Sequence, residues 1–248
     1  MDTRGPARIN LPRYLAALSP FNSADDEERK RLAENSTLRG YDRGQSLFRV
    51  GQRCDEFHVA VIGHVKLYVL SAAGQEKVIE IAGPGNSFAE WLMFTGAPYN
   101  VNAQALTGAL VLSVRKDAIM AGIERDPGFS LRMLGLLSRR VHGLVDDVED
   151  YTLCNGAQRV VGYLLRNLPD ASASRSTGTV SLPVSKSTVA SRLSLTREHF
   201  SRVLHELEAQ GLIEIERRQI RIPDAGRLAA CQLNEVPAPP RPRPLSLA

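Results

Sequence analysis

Apolar positions along this chain follow two periods, and the change from one to the other divides it. Up to about residue 116, glycines recur at short intervals (Gly40, Gly44, Gly51, Gly63, Gly74, Gly83, Gly85, Gly96 and Gly108). Between them lie runs at 57–61, 65–70, 78–81 and 109–114 that are rich in β-branched and apolar residues. Short strands with regular turn signals predict a sandwich or barrel, and a helix is expected ahead of them at 24–34. From 132 to 152 the period becomes helical. Leu134, Leu137, Val141, Leu144, Val148 and Tyr151 follow alternating steps of three and four, while Arg139, Arg140, Asp146, Asp147, Glu149 and Asp150 occupy the flanks. A helix that packs only on its own domain shows a broader apolar stripe. So narrow an a/d seam predicts a parallel coiled coil with a second copy, with those six residues as the dimer interface.

Past the seam the helical period continues in shorter pieces. A helix is expected at 157–168, where Val160, Val161, Leu164 and Leu165 share one face, followed by a polar Ser/Thr loop over 169–179. The stretch 185–193 reads as a short helix with Val189 and Leu193 one turn apart, broken at Ser194-Leu195. A longer helix follows, with apolar residues at Phe200, Val203, Leu204 and Leu207, Thr196 placed as its N-cap and Gly211 at its C-terminal end. Leu212 to Ile215 and Ile220 to Ile222 alternate around the polar Arg217-Arg218-Gln219, which predicts a β-hairpin. Residues 232–248 are Pro-rich with almost no core-forming side chains, and are expected to stay unpacked.

The free face of that longer helix carries chemistry. Its first two turns present Arg197, Glu198, Ser201 and Arg202. When two helices are joined by a tight turn, the N-terminal part of the second enters the DNA major groove. There arginine bonds bidentately to guanine and glutamate accepts from cytosine. Glu198 and Arg202 are equally an ordinary i,i+4 ion pair, so the helix alone leaves both readings open. The hairpin tips the balance, because Arg217 and Arg218 at its tip are placed to reach phosphates, as in a winged helix. Charge agrees. The whole chain is only +4, but residues 155–231 hold eleven basic side chains against seven acidic ones, and most of those acids lie late in the recognition helix or on the hairpin.

Composition narrows the remaining classes. Cys54, Cys154 and Cys231 are odd in number and widely spaced, which argues for a reducing compartment rather than a disulfide framework. The sequence shows neither a signal-peptide pattern nor an apolar run near 18 residues, so a cytoplasmic protein without a membrane partner is expected. The glycine rhythm also suits a cupin-type metalloenzyme, which needs a histidine and carboxylate cluster. His58 and His64 lie six residues apart and flank different strands, which does not supply one, and the enzyme reading is set aside.

Glu198-His199-Phe200-Ser201-Arg202 has the form E-x-x-S-R and resembles the recognition-helix signature of the FNR branch of the CRP/FNR transcription regulators, and Arg197 matches an arginine also used in the CRP branch. Asp42-Arg43-Gly44, Val61-Ile62-Gly63 and Gly83-Pro84-Gly85 are similar to the turns of the cyclic-nucleotide-binding β-roll, and the likeness extends from about residue 18 to 228. Phe88-Ala89-Glu90 through Phe94, together with 155–165, are most similar to the DNR-type regulators of denitrification. The resemblance implies an α+β fold. It consists of an N-terminal segment (1–20), a β-roll sensor domain (21–116), a long dimerisation helix (117–153), a winged helix-turn-helix (154–231) and the Pro-rich tail (232–248). It implies a homodimer in which Glu198, Ser201 and Arg202 read a TTGAY-like half-site, with Ser187, Thr196, Arg197, His199, Arg217 and Arg218 completing the DNA contact. It also implies an activator that meets RNA polymerase under low-oxygen or nitrogen-oxide conditions.

The signal is less determined. Where the CRP branch carries a Gly-Glu and an Arg-Ser pair for cyclic AMP, this chain has Ala89-Glu90 and Asn100-Val101, which leaves no arginine for the phosphate and argues against cAMP. No cysteine precedes Cys54, which argues against an iron–sulfur cluster. DNR-type regulators are regarded as haem-based nitric oxide sensors. The resemblance therefore makes haem an option, with Phe88, Glu90, Trp91, Met93 and Asn100 as the effector pocket and His64 or His142 as axial ligand (Tyr99 and Met93 being further candidates). A redox-active thiol, another small molecule and a cyclic-nucleotide-dependent regulator stay open beside it.

Overall fold

The computed structural model describes residues 10–18, 20–169 and 177–233, so the expected Pro-rich tail and most of the expected Ser/Thr loop lie outside the described residues. The chain divides into two compact units, Met1–Asp147 and Val148–Ala248.

The first unit opens with helices α1 (Leu11–Leu15) and α2 (Asp26–Glu34). Asp25 caps α2 by accepting from the Glu28 amide at 2.7 Å. Strands β1 (Ser36–Tyr41), β2 (Ser46–Phe48), β3 (Glu56–Ile62), β4 (Val65–Leu70), β5 (Glu76–Ala82) and β6 (Ser87–Phe88) follow. After them come helix α3 (Glu90–Thr95), strands β7 (Asn102–Ala105) and β8 (Ala109–Arg115), and helices α4 (Lys116–Arg125) and α5 (Pro127–Leu153). The strands form two antiparallel four-stranded sheets among the described residues, ordered β1-β8-β3-β6 and β2-β7-β4-β5. The glycine rhythm thus marks a β-roll, and its turns demand glycine for a physical reason. At Gly63, φ is +76° and an added Cβ would lie 2.2 Å from the Gly108 carbonyl oxygen.

The core of this unit is aromatic at its base. Phe21 meets Phe57 edge-on at 5.5 Å and stacks on Phe129 at 6.0 Å, all three rings wholly buried. Phe129 and Met133 are one face of the first turns of α5, with Leu136 packed beside them. The expected single helix over 117–153 is two helices. Asp126-Pro127 separates them, because a residue before proline avoids the α region. The Asp126 carboxylate then caps α5, accepting from the Gly128 and Phe129 amides at 2.8 and 2.9 Å.

The second unit takes the last turn of α5 and adds α6 (Gly156–Arg166), β9 (Gly178–Ser181), α7 (Lys186–Arg192), α8 (Arg197–Ala209), β10 (Glu214–Glu216), β11 (Gln219–Ile222) and α9 (Ala225–Leu233). Asn155 and Gln158 form a reciprocal capping box that starts α6. Its Val160, Val161 and Leu164 are buried. Strands β10, β11 and β9 make a small antiparallel sheet in that order.

Candidate nucleic-acid interface

Two helices and a turn build the interface. Ser185 caps α7 by accepting from the Thr188 amide at 3.2 Å, which leaves Ser187 exposed in the first turn. Val189 and Ala190 bury the opposite side. The chain then reverses through Ser194, whose φ of +54° is left-handed and costly for a residue with a Cβ. The Leu195 amide donates back to the Ala190 carbonyl at 2.9 Å and holds the turn. Thr196 starts α8 as its N-cap, accepting from the His199 amide at 3.1 Å. Phe200, Val203, Leu204 and Leu207 lock α8 onto the domain core. The other face is left to solvent, with Arg197, Glu198 and Arg202 exposed and Ser201 half-buried.

Arg202 pairs at 3.8 Å with Glu206 rather than with Glu198 as the i,i+4 reading had it. Both side chains are more than half exposed, so the pair is worth only about 0.3–0.5 kcal/mol and gives way readily to a better partner. Arg197 sits where the unpaired amides of the first helical turn add their own partial positive charge.

His199 is a correction. Its ring packs back against α6, and a Cβ on Gly156 would lie 2.7 Å from its Cε1 atom. The imidazole therefore fills the space that glycine leaves and stands apart from the exposed face.

The predicted hairpin is present. Glu214 pairs with Arg221 and Glu216 with Gln219 in the β10–β11 ladder. That leaves Arg217 and Arg218 as its two-residue tip, both exposed, with Arg217 at φ +56°. The Arg218 carbonyl accepts from the Leu182 amide at 2.7 Å, which ties the tip to the segment after β9.

On α5 the apolar seam faces solvent. Leu134, Val141, Leu144 and Val148 are between 41 and 61 % exposed, whereas Leu137 is half-buried. Val145 is 58 % exposed on the same side and was missed by strict a/d counting. Tyr151 departs from the seam: its hydroxyl donates to the Arg192 carbonyl and accepts from Arg192 Nη1, both at 2.6 Å, within its own unit.

The expected effector residues differ in exposure. Phe88 and Met93 are wholly buried in the β-roll core, and Asn100 is exposed. Glu90 is buried, one of its carboxyl oxygens has no hydrogen-bond partner, and burial raises its pKa. Trp91 lies under the Arg140 guanidinium at 5.1 Å, and Arg140 pairs with Glu80 at 2.9 Å.

Haem requires an axial ligand directed into an apolar cavity. Here His142 is exposed, and the His64 ring lies against Gly83 with its pKa lowered by burial. The Tyr99 hydroxyl is bound to His58 at 2.8 Å. In this packing the residues present do not fit haem. Sequence reasoning treated His58 as a bystander, but it is buried between Ser113 Oγ and Tyr99 OH, each 2.8 Å from a ring nitrogen. Beside it, burial raises the pKa of the Cys54 thiol, the opposite of what a reactive thiolate needs. Among the described residues there is no metal-binding group of three or more ligands, and no helix is long and apolar enough to cross a membrane.

Comparison with known proteins agrees with this geometry. Residues 158–231 match the Crp-like helix-turn-helix domain, and residues 38–126 match the cyclic nucleotide-binding domain. The chain is 26 % identical over 221 residues to the CRP-like cAMP-activated global transcriptional regulator of Mycobacterium tuberculosis, covering 88 % of this chain and 98 % of that protein. It is 30 % identical to the sensor domain of the transcriptional regulator DNR from Pseudomonas aeruginosa, over 54 % of this chain and 90 % of that one, with a TM-score of 0.50. FixK2 from Bradyrhizobium japonicum, at 22 % identity, shares the fold with a TM-score of 0.70 over 79 % of this chain and 96 % of its own. With a β-roll followed by a long helix and a winged helix-turn-helix, and with both domains matched in that order, the chain belongs to the CRP/FNR family of transcription regulators.

Proposed function

We propose that the protein is a homodimeric activator that reads an inverted repeat with TTGAY-like half-sites, one recognition helix per half-site. The observation that carries this reading is the division of α8. Its inward face is fully committed to the core, while Arg197, Glu198 and Arg202 stand exposed on its first two turns. Arg202 pairs bidentately with a guanine, and Glu198 accepts from a base amino group. Ser201, Ser187 and Thr196 line the approach, and Arg217 and Arg218 hold phosphates. The exposed α5 seam supplies the twofold partner that an inverted repeat requires, about one helical turn of DNA away. Bound at a promoter, the dimer contacts RNA polymerase.

The signal acts on the first unit and passes along α5, which both units share. Low oxygen or a nitrogen oxide suits the E-x-x-S-R signature better than a cyclic nucleotide does. In support, Asn100-Val101, where the CRP branch carries Arg-Ser, offers a nucleotide phosphate no cation. Selection of binding sites from a random duplex pool by the purified protein tests the reading. Enrichment of an inverted repeat with a half-site resembling TTGAY is expected, and enrichment of no sequence refutes it.

A further inference from the structure

The geometry points to Tyr151 as a positioning residue for the recognition helix, rather than a member of the dimer seam. This inference rests on the DNA-reading role of α8. The Tyr151 phenol stands on the last turn of α5 and makes two hydrogen bonds to one residue of α7. It donates to the main-chain carbonyl of Arg192 and accepts from Arg192 Nη1, both at 2.6 Å. Arg192 is the last residue of α7, where helix carbonyls lose their intrahelical donors. The phenol thus supplies a donor at that end and fixes the guanidinium with the same oxygen.

The residues after Arg192 give the clasp its consequence. Leu193, Ser194 and Leu195 lead directly to the Thr196 cap, and Ser194 holds a left-handed φ of +54°. A side chain with a Cβ stays in that region only where its surroundings over-determine it. The Leu195-to-Ala190 hydrogen bond constrains the turn from inside, and the Tyr151 clasp fixes its starting point from outside. Next to Tyr151, the buried carboxylate of Asp150 pairs with Arg166 Nη2 at 2.6 Å on the last turn of α6. Adjacent residues of one helical turn therefore grip two different helices of the same unit. The Asp150 grip anchors that turn, and the Tyr151 grip sets the angle at which α7 hands the chain to α8. Arg192, so occupied, is assigned to the clasp and not to a DNA phosphate.

The test uses the full-length chain and the operator that the wild type selects. Fluorescence anisotropy is read on that operator and on a scrambled duplex for wild type, Tyr151→Phe, Arg192→Met and the double variant, with sedimentation and thermal melting alongside. Tyr151→Phe keeps the ring and removes only the hydroxyl. It is expected to weaken operator binding by about 5–30-fold, the usual reach of one part-buried hydrogen-bonding group. Scrambled-duplex affinity, salt slope and dimerisation should stay as in wild type, and the double variant should be no worse than the weaker single one. Operator affinity within twofold of wild type overturns the proposal. So does an equal loss on both duplexes with a lower folded fraction, which would make the hydroxyl merely structural. A salt slope reduced by about one in Arg192→Met overturns it too, since that marks a phosphate contact. A wild type that selects no operator instead refutes the DNA reading on which the clasp depends, and the two failures are told apart by that first step.

Discussion

Acidification should destabilise the β-roll through a buried histidine. His58 is buried on β3, with both ring nitrogens bonded at 2.8 Å and its ring 5.4 Å from each of the Phe48 and Phe88 rings. Burial, aided by the nearby positive charge of Arg39, lowers its pKa from 6.5 to about 3. The folded protein therefore binds a proton at this ring far less readily than the unfolded chain does. The stability it contributes is complete above pH 6.5 and drains away as pH falls towards 3. Each pH unit in that window costs about 1.4 kcal/mol, so the descent from pH 6.5 to 4.5 removes roughly 2–3 kcal/mol. For a unit of this size that is a fall in melting temperature of roughly 5–10 °C. Carboxylates titrate over the lower part of the same range, so the quantity to read is a difference between proteins. His58→Gln keeps an amide that can bond Ser113 and Tyr99 but has no proton to gain. Calorimetry at four pH values from 7.5 to 4.5 should show the wild type losing that extra stability while the variant does not. Parallel melting curves for the two proteins would show that the buried imidazole accepts a proton in the folded state without penalty, and the reasoning would fail.

Three further outcomes concern DNA, assembly and effector. Arg202→Ala should lose about 1–3 kcal/mol at one guanine and relax preference there, whereas Arg218→Ala should weaken all duplexes alike and lower the salt slope by about one. Full discrimination retained by Arg202→Ala in binding-site selection counts against the base-reading assignment. Leu144→Glu changes a side chain that is 41 % exposed in the protomer, so folding should survive while like charges meet across the seam and sedimentation reports a monomer. A dimeric Leu144→Glu protein would place the subunit interface elsewhere. Titration calorimetry should detect no cyclic AMP binding, because Asn100-Val101 offers the phosphate no cation. Micromolar binding by the wild type would align the protein with its cAMP-activated relative instead.

What could be read from sequence was what local periodicity controls. The recognition helix carries its own evidence within fourteen residues: a capping threonine, a 3–4 apolar stripe and charges on the opposite side. The hairpin behaves in the same way, because alternation and its polar tip are adjacent in the chain. Strands of two or three residues such as β2 and β6 are too short to show a period, and their existence depends on partners far away in sequence. Helix α9 did leave a local signal, since the Asp224 carboxylate accepts from the Arg227 amide at 2.9 Å and caps it. Asp126-Pro127 likewise marks the break between α4 and α5. Both are helix-start signals of the kind that Asn155 provides for α6.

Where a side chain's setting depends on a distant neighbour, the local pattern does not show it. Tyr151 continues the a/d count without fault, yet Arg192, 41 residues on, captures its hydroxyl. His199 lies within the signature of the recognition helix, but the space beside Gly156 draws its ring inward. His58 has no local mark at all, since its partners lie 41 and 55 residues further along the chain. The cluster around Arg140 is the extreme case. Glu80, Glu90, Trp91 and Arg140 come from β5, α3 and α5, and only folding makes them a charged cluster beneath an aromatic ring. A DNA reader works with one helix face, so its chemistry is written along a short segment. A site assembled from several elements carries no such local record, because its members meet only in the fold.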